Sequence, residues 1–554
     1  MNANGSIRRM DHGDILLNLF LGTEIEGGPA NLYLRRHGTS IEAVPLLGPQ
    51  SPAAIHLDER GISAGGEWHG IRFRVSLVLA ESTPAWFWHL RLENTLDTAE
   101  KLDLIYAQDL ALAHYGAVRI NEYYTSHYVD HTPLSHPERG IVLASRQNLS
   151  MAGRQPWCVI GTFGKGVGFA SDALQFHGLA TRAGQVPVGL AEGLDTVRRQ
   201  HENAMAVIQD APVRLGQGEV IERGFFGWFE ADHPEATSAK DLVFVDKAIG
   251  LPEAVPAFDS NAPYGSEPPA SLFTSAPLLD PQDLTEAEIA DLFGTELRAV
   301  ERKDGKILSF FTGTNRHVVL KAKELSDLRP HMQILRTGHR LIPEETALTS
   351  NTWMGGVFHA MVTQGHVSIN RFLSTPHSYL GLFRGNGLRL FVEMADGWHL
   401  LDVPSAFEMT PESSRWIYKH SDGLIEIRSG APADRHELTF SAEVLSGAPL
   451  RFFLSWHVAL NGEDGSSAVP VRYVQDEEGV FVQPTLESDV GRRFPEGGFR
   501  IAPLDGTVIE RIGRDEMLFA DGISRNQPYL CMISEPAVSI GFRLKGCLIS
   551  EQLE

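Results

Sequence analysis

A dense group of aromatic and polar side chains lies between residues 121 and 131. The run Asn121-Glu-Tyr-Tyr-Thr-Ser-His-Tyr-Val-Asp-His131 holds more rings and hydrogen-bonding groups than an ordinary alternating strand needs. A sugar has an apolar face that packs on aromatic rings and a rim of hydroxyls that binds fixed polar groups. The run therefore favours a carbohydrate contact, and the side chains we predict to touch sugar are Tyr123, Tyr124, His127, Tyr128, Asp130 and His131.

Carboxylates near this run offer a second kind of chemistry. A pair of carboxyl groups on either side of a glycosidic bond can hydrolyse it by general acid–base catalysis. Asp109, Glu122 and Asp130 are the acids available for such a role. Most acids of a β domain are simply solvated, so the acid–base role of Asp109 and Glu122 is kept as the weaker interpretation.

A histidine–carboxylate pair is the alternative for a sugar epimerase or mutarotase. His177, His201 and Glu202 could supply such a pair. Histidines scattered through a fold are more often structural than catalytic. The sequence contains no H-E-x-x-H or G-x-G-x-x-G motif, and it predicts neither a metal site nor a bound cofactor.

The composition narrows the classes of partner. The chain has 554 residues and a formal net charge of −22, which disfavours nucleic acid and anionic membranes. No stretch approaches the roughly 18 apolar residues of a membrane helix, and no signal-peptide core follows Met1. The three cysteines have no metal-binding or disulfide-framework spacing. These features predict a cytoplasmic protein with a neutral or weakly charged ligand.

Two regions of the sequence have the pattern of β-sandwiches. Polar–apolar alternation with short Gly, Asn and Pro breaks predicts a first sandwich domain over residues 1–245 and a second over 366–554. The intervening residues 246–365 are predicted to be a linker with short helices. One such helix follows Leu284, and another is predicted over residues 352–365. The dipeptide Asn386-Gly387 predicts a hairpin with strands on both sides.

Four segments resemble a known family. They are Gly5–Asp14, Glu26–Arg35, Tyr106–His131 and Gly356–Leu373, and together they are similar to the N-terminal, non-catalytic half of glycoside hydrolase family 94, formerly glycosyltransferase family 36. The nearest architecture is that of 1,2-β-oligoglucan phosphorylase and of the related part of cyclic β-1,2-glucan synthase. The resemblance implies two β-supersandwich, galactose mutarotase-like domains. It also implies that inorganic phosphate is a co-substrate of the full enzyme.

One feature of the family is missing from this sequence. The family's general-acid aspartate lies in a Gly-Asp-Trp-Asn-Asp-like motif within an (α/α)6 barrel, and neither that motif nor such a barrel can be found here. The nearest string, Ala395-Asp-Gly-Trp-His399, lies in a predicted hairpin. No catalytic residue is therefore predicted, and the resemblance implies a carbohydrate-recognition and docking half.

The partners implied by the resemblance are a β-glucan oligosaccharide and an (α/α)6 catalytic half, in the same chain or in a separate subunit. Two alternatives stay open at this point. One is a free-standing carbohydrate-active enzyme, either a glycoside hydrolase or a sugar epimerase. The other is a structural dimerisation module.

Overall fold

The structure is a computed structural model that divides into two compact units. It describes residues 1–58, 61–200, 203–256, 258, 270–340, 342, 344–365, 369–377, 380–462 and 469–549. The first unit comprises Met1–Thr181 and Gln185–Ala270, and the second comprises Ser271–Glu554 together with the short run Arg182–Gly184.

The first unit is built almost entirely of antiparallel strands. Its strands are β1 Asp11–His12, β2 Ile15–Leu16, β3 Asn31–His37, β4 Ile41–Pro45, β5 Ala53–Asp58, β6 Gly61–Trp68, β7 Ile71–Leu79, β8 Ala85–Asn94, β9 Glu100–Asp109, β10 Ala113–His114, β11 Val129–His136, β12 Gly140–Gln147, β13 Trp157–Thr162, β14 Gly166–Asp172, β15 Ala204–Asp210, β16 Val213–Leu215 and β17 Val220–Glu230.

Most of these strands join one large sheet. Its order is β4-β3-β9-β15-β14-β12-β13-β17-β8-β7-β6-β5, with β11 paired to β12 and β16 paired to β9. A separate small sheet has the order β1-β2-β10. Its strand β10 ends at His114, directly before a helical segment. Ile71–Leu79 and Ala85–Asn94 form two neighbouring strands in antiparallel register.

The second unit contains two further sheets. Its strands are β18 Leu297–Lys303, β19 Lys306–Thr312, β20 Arg316–Leu320, β21 Met332–Arg336, β22 Leu348–Trp353, β23 Val357–Gln364, β24 Leu388–Met394, β25 Gly397–Leu400, β26 Ala406–Thr410, β27 Ser413–His420, β28 Gly423–Gly430, β29 Glu437–Ser446, β30 Phe452–His457, β31 Val471–Asp476, β32 Gly479–Pro484, β33 Gly498–Pro503, β34 Ile509–Gly513, β35 Tyr529–Ser534 and β36 Ser539–Cys547.

These strands form a sandwich around one apolar core. One sheet has the order β18-β19-β20-β26-β27-β28-β29-β36-β33-β32-β31, and the other β21-β22-β23-β24-β30-β35-β34 with β25 beside β24. Phe358 of one sheet contacts Trp416 of the other at 5.0 Å between ring centroids, and Trp456 contacts Phe542 at 6.3 Å. These rings are buried in one cluster, so their packing holds the sheets face to face.

The helices are short throughout the described residues. They are α1 Tyr115–Ile120, α2 Glu122–His127, α3 Ala173–His177, α4 Val188–Ala191, α5 Leu242–Ile249, α6 Leu272–Ser275, α7 Glu286–Phe293, α8 Lys321–Glu324 and α9 Asp489–Arg493. None of them exceeds eight residues. The mainly β fold without a helical barrel is confirmed for this part of the chain. No helix here is long and apolar enough to cross a membrane.

The predicted helix after Leu284 is confirmed. It begins after Thr285, whose hydroxyl accepts a hydrogen bond from the backbone N–H of Glu288, and the Glu288 carboxylate accepts one in return from the Thr285 N–H. This reciprocal pair is a capping box. Gly294, at a φ of +92°, ends the helix.

The predicted helix over residues 352–365 is wrong. Strand β22 ends at Trp353 and strand β23 begins at Val357, so the region is a hairpin. Its turn contains Gly356 at a φ of +69°, where a Cβ atom would lie 2.2 Å from the carbonyl oxygen of Leu401. The glycine pair that weakened the helical pattern is the turn itself.

The predicted hairpin at Asn386-Gly387 is also wrong. Within residues 380–387 no strand precedes β24, and Tyr379, at the start of the predicted hairpin, lies outside the described residues. The hairpin partner of β24 is β25, which follows the turn at Ala395-Asp396. Asn386 is buried instead, where its amide donates to the carbonyl of Thr375 and its oxygen contacts Nδ1 of His457.

The observed division of the chain differs from the predicted domain bounds of 1–245, 246–365 and 366–554. It falls between residues 270 and 271. Strands β18 to β23 occupy residues 297–364, so much of the predicted linker forms strands of the second unit, whereas residues 257 and 259–269 of it are outside the described residues. The charged outer positions of β18 hide its strand pattern, since six of its seven residues are exposed.

Gly227 is required by the packing of a tryptophan in the first unit. It lies opposite Trp86 in the register of β17 and β8, and a Cβ atom at position 227 would come within 2.0 Å of the indole. The indole is fixed because its Nε1 donates to the hydroxyl of Tyr106 at 3.1 Å. The ring therefore cannot move aside without losing a buried hydrogen bond.

We predict that Gly227→Ala destabilises the first unit by about 1–3 kcal/mol, because the added methyl group overpacks a buried contact. Chemical denaturation of the purified protein measures the change. Gly116→Ala is the matched control: its Cβ atom would have open space in α1, so its effect should be neutral or slightly stabilising. Equal stability of both variants would contradict this packing account.

Candidate functional site

The aromatic run of residues 121–131 folds as a short helix followed by a strand. Helix α1 ends where Asn121 adopts an extended conformation with a φ of −163°, and α2 begins at the next residue. The Asn121 side chain accepts a hydrogen bond from the backbone N–H of Tyr124 at 2.9 Å, which caps α2. An asparagine ahead of Glu122 is a helix start signal that the sequence already contains.

Polar residues on one face of α2 attach it to the rest of the first unit. The Ser126 hydroxyl accepts a hydrogen bond from the backbone N–H of Ala204, and the carbonyl of Thr125 accepts one from the Gln147 amide at 3.1 Å. Both Ser126 and Thr125 are buried. Because residues four apart share a helix face, this attachment turns Tyr124 and Tyr128 away from the core.

Three large side chains of this segment are exposed. Ile120 is 87% exposed, Tyr124 51% and Tyr128 36%. Ile120 ends α1 before the extended Asn121, whereas Tyr124 and Tyr128 lie four residues apart on and just after α2. We call these two tyrosines the tyrosine face.

The two tyrosines contact each other at an edge-to-face angle. Their ring centroids are 5.0 Å apart with an interplanar angle of 60°, and their hydroxyls lie 3.1 Å apart. The hydrogen bond with Tyr124 raises the pKa of the Tyr128 hydroxyl, so this hydroxyl is neutral at neutral pH. The pair offers aromatic surface beside a fixed hydroxyl rim, which is the chemistry that a sugar ring binds.

Three other predicted contacts lie at or near the surface of the first unit. His127 is exposed at the end of α2, and Tyr123 is half-buried. Asp130 is half-exposed on β11 and forms an ion pair with Arg198. Arg198 was not among the predicted residues, because it is distant in the sequence and carries no local motif.

His131 does not reach the surface. Its side chain is buried, and its Nδ1 lies 2.8 Å from the Ser145 hydroxyl on the neighbouring strand β12. Burial lowers the pKa of His131 to about 3, so the ring is neutral. The prediction of a sugar contact by His131 is therefore corrected to a structural role. Strand alternation explains the outcome, since Val129 and His131 point inward from β11.

Asp109 is buried and holds the segment around residue 19 in place. One carboxylate oxygen accepts hydrogen bonds from the backbone N–H groups of Leu19 and Phe20 at 2.9 and 2.7 Å. Burial raises the pKa of Asp109 to about 6 despite these bonds. A carboxylate so enclosed has no access to a glycosidic bond, and its role is structural.

Glu122 lies in the first turn of α2, where a negative charge stabilises the helix N-terminus. For the alternative histidine–carboxylate pair, only His177 is described. It is buried at the end of α3, and burial lowers its pKa to about 4. His201 and Glu202 lie outside the described residues. In the part of the chain that the structure describes, no three His, Cys, Asp or Glu side chains come together as metal ligands.

Comparison with known protein families identifies both units. Residues 1–227 match the SOGP N-terminal domain, and residues 296–540 match the glycoside phosphorylase supersandwich domain. The chain joins these two domains. The predicted fold, mainly β with a supersandwich domain, and the predicted resemblance to the N-terminal half of glycoside hydrolase family 94 proteins are thereby confirmed.

A curated relative gives the scale of the resemblance. The 1,2-β-oligoglucan phosphorylase of Listeria innocua serovar 6a is 27% identical over 555 aligned residues, which cover 99% of this chain and 48% of the relative. The chain thus spans about half the length of the protein that it matches. By this similarity the two-domain chain is related to a glycoside phosphorylase.

Solved structures are more distant. A polysaccharide lyase is 7% identical with a TM-score of 0.29, covering 80% of this chain and 43% of the lyase. A protein described as a kojibiose phosphorylase from the human microbiome is 9% identical with a TM-score of 0.25, covering 44% of this chain and 33% of that protein. Scores this low do not define a common fold.

We predict that Asp109 makes stability fall as the pH rises from about 4 to 7. The folded-state pKa of about 6 lies above the usual value of 3.8, so folding favours the neutral acid. Its contribution is complete below the unfolded pKa and is lost as the pH passes through 6. Relative to Asp109→Asn, the wild type should lose up to about 3 kcal/mol of unfolding free energy over this range. Denaturant titrations at several pH values measure it; a constant difference would contradict the prediction.

Proposed function

We propose that this chain is the carbohydrate-recognition and docking half of a β-glucan phosphorylase-like enzyme. The observation that supports this proposal is the alignment, which runs along 99% of this chain but only 48% of a 1,2-β-oligoglucan phosphorylase. The unmatched half of that relative is the source we propose for a helical catalytic barrel. The substrate class we propose is accordingly a β-1,2-linked gluco-oligosaccharide.

The reaction proposed for the assembled enzyme is reversible phosphorolysis with inversion. Inorganic phosphate attacks the anomeric carbon while a general acid protonates the leaving glycosidic oxygen. The acids in and near the aromatic run do not suit the role of the general acid. Asp109 is enclosed by backbone N–H groups, Asp130 is paired with Arg198, and Glu122 lies at a helix N-terminus. The acid is therefore proposed to come from the other half.

The part proposed for this chain is to hold the glucan in place. The tyrosine face is mounted on a helix that buried hydrogen bonds fix to a β scaffold, so its rings lose little freedom on binding. A phosphorylase site must position a long, flexible substrate relative to phosphate and acid. Binding energy from rings remote from the reacting bond contributes to that positioning.

Turnover measurements test this proposal. We expect the purified chain alone to release no glucose 1-phosphate from linear β-1,2-gluco-oligosaccharides with phosphate. We expect turnover when the chain is mixed with the separately produced unmatched half of the Listeria relative. Phosphate-dependent release by the chain alone would contradict the proposal, and sugar release without phosphate would instead favour the free-standing hydrolase.

We predict that Tyr124→Ala and Tyr128→Ala each raise the KM of the assembled enzyme for oligosaccharide by about three- to tenfold, because each removes ring contacts worth about 0.5–1.5 kcal/mol. Thermal unfolding should change little, because neither ring is buried in a core. Steady-state kinetics on a series of substrate lengths measures the effect.

Tyr124→Phe is the matched control for the ring itself, since it keeps the aromatic surface and loses only the hydroxyl contact with Tyr128. Ile120→Ser, at the exposed end of α1, separates sugar binding from docking next to the tyrosine face. Unchanged KM in both alanine variants, with assembly lost in Ile120→Ser, would assign the tyrosine face to docking alone.

A further inference from the structure

The second unit carries a groove of about 470 Å³ on the outer side of its larger sheet. This volume lies within the range of small-ligand sites, about 300–1,000 Å³. We call it the outer groove and define it by the side chains used below, which are Glu437, Glu477, Glu478, Phe481, Arg500, Arg543 and Lys545.

Strand register aligns four of these side chains in one row. Phe481 on β32 pairs with Arg500 on β33, Arg500 pairs with Lys545 on β36, and Lys545 pairs with Glu437 on β29. The neighbouring residues Ile501 and Leu544 are buried in the core cluster, so the row points away from the core. Adjacent strands lie about 4.8 Å apart, a spacing comparable to the length of one pyranose ring.

The middle of the row is held rigidly. The Arg500 guanidinium donates to both oxygens of Asp476 at 2.7 and 2.8 Å, and its central carbon lies 5.4 Å from the centroid of the Phe481 ring. Asp476 holds the pKa of Arg500 above its usual value, so the charge is permanent. An arginine fixed by a carboxylate and an aromatic ring is a preorganised donor.

Lys545 provides a donor that the protein leaves available. Lys545 is a half-buried residue in the row between Arg500 and Glu437, and its ammonium group makes no ion pair or side-chain hydrogen bond with any described residue. Arg543, in the same groove, approaches Glu437 only at 4.0 Å. The groove therefore holds two cationic groups, those of Lys545 and Arg543, that its own carboxylates do not pair closely.

The charged side chains that line the outer groove indicate which class of ligand it binds. The lining contains three acids, Glu437, Glu477 and Glu478, and three bases, Arg500, Arg543 and Lys545. The charges cancel, so neither an anion nor a cation is favoured as a whole. A neutral molecule rich in hydroxyls, which donate to carboxylates and accept from ammonium and guanidinium groups, uses both sets.

We propose that the outer groove is a second oligosaccharide-binding site, separate from the tyrosine face and located in the other unit. This inference rests on the proposed function, since it takes a neutral β-glucan as the ligand. Such a site retains a long glucan between catalytic events, as linked sites raise the effective concentration of a substrate that both can hold.

Calorimetric titration with linear β-1,2-gluco-oligosaccharides tests the groove in a Tyr124→Ala/Tyr128→Ala background, in which the tyrosine face is removed. We expect binding to persist in this background and to weaken about tenfold or more when Lys545→Gln or Phe481→Ala is added. The matched control is Arg472→Gln, which neutralises an exposed position on β31 outside the groove and should leave affinity unchanged. Thermal unfolding of each variant verifies its fold.

Three outcomes overturn the inference: no binding in the double tyrosine background, equal affinity with and without Lys545→Gln, or saturable binding of inorganic phosphate alone in place of oligosaccharide. The proposed function is judged separately by turnover of the assembled halves on short substrates. Turnover without binding in the groove rejects only the second site, whereas binding in the groove without turnover rejects the phosphorylase role and leaves a glucan-binding protein.

Discussion

The hydrogen bond between the Ala204 backbone and the Ser126 hydroxyl decides which side of α2 faces the protein. A six-residue helix has no stability of its own in water, so its orientation must come from tertiary contacts. With Ser126 and Thr125 turned inward, the four-residue period of a helix leaves the tyrosine face exposed. The β strands beneath contribute the fixed donors and acceptors, namely Gln147 and the backbone of β15. The exposed rings therefore depend on a buried polar attachment.

The two units pack their large aromatic side chains in different ways. In the second unit, aromatic rings from two sheets interlock across one core, as Phe358 and Trp416 do. In the first unit, an indole lies across a strand at Gly227, where any side chain would exclude it. Both arrangements produce rigid sheets with free outer positions. Rigid sheets are suitable scaffolds for binding groups, because little conformational entropy is lost when a ligand binds.

Strand alternation made much of the fold predictable from the sequence. Ile71–Leu79 and Ala85–Asn94 both form strands, although most residues of the second strand are buried on both faces. The segment 352–365 failed because a hairpin with a glycine turn can also place apolar residues three and four apart. Asn386-Gly387 failed because the Asn386 side chain is buried against Thr375 and His457, and no strand precedes it within residues 380–387.

The candidate site was predictable only in its residue types. Aromatic and polar density located Tyr124 and Tyr128, but it could not tell that His131, three residues beyond, points into the core. That distinction depends on the change from helix to strand at Val129. From there the side chains alternate between the two faces of β11, and His131 falls on the buried face. The outer groove was not predicted, since its row is assembled from four strands that are distant in sequence.

The central claim is that this chain acts with a catalytic half that it does not itself contain. The most direct measurement is sedimentation velocity of the purified chain mixed with the separately produced unmatched half of the Listeria 1,2-β-oligoglucan phosphorylase. The account predicts a one-to-one complex that sediments faster than either component. Two independently sedimenting species, together with phosphorolysis by the present chain alone, would contradict it.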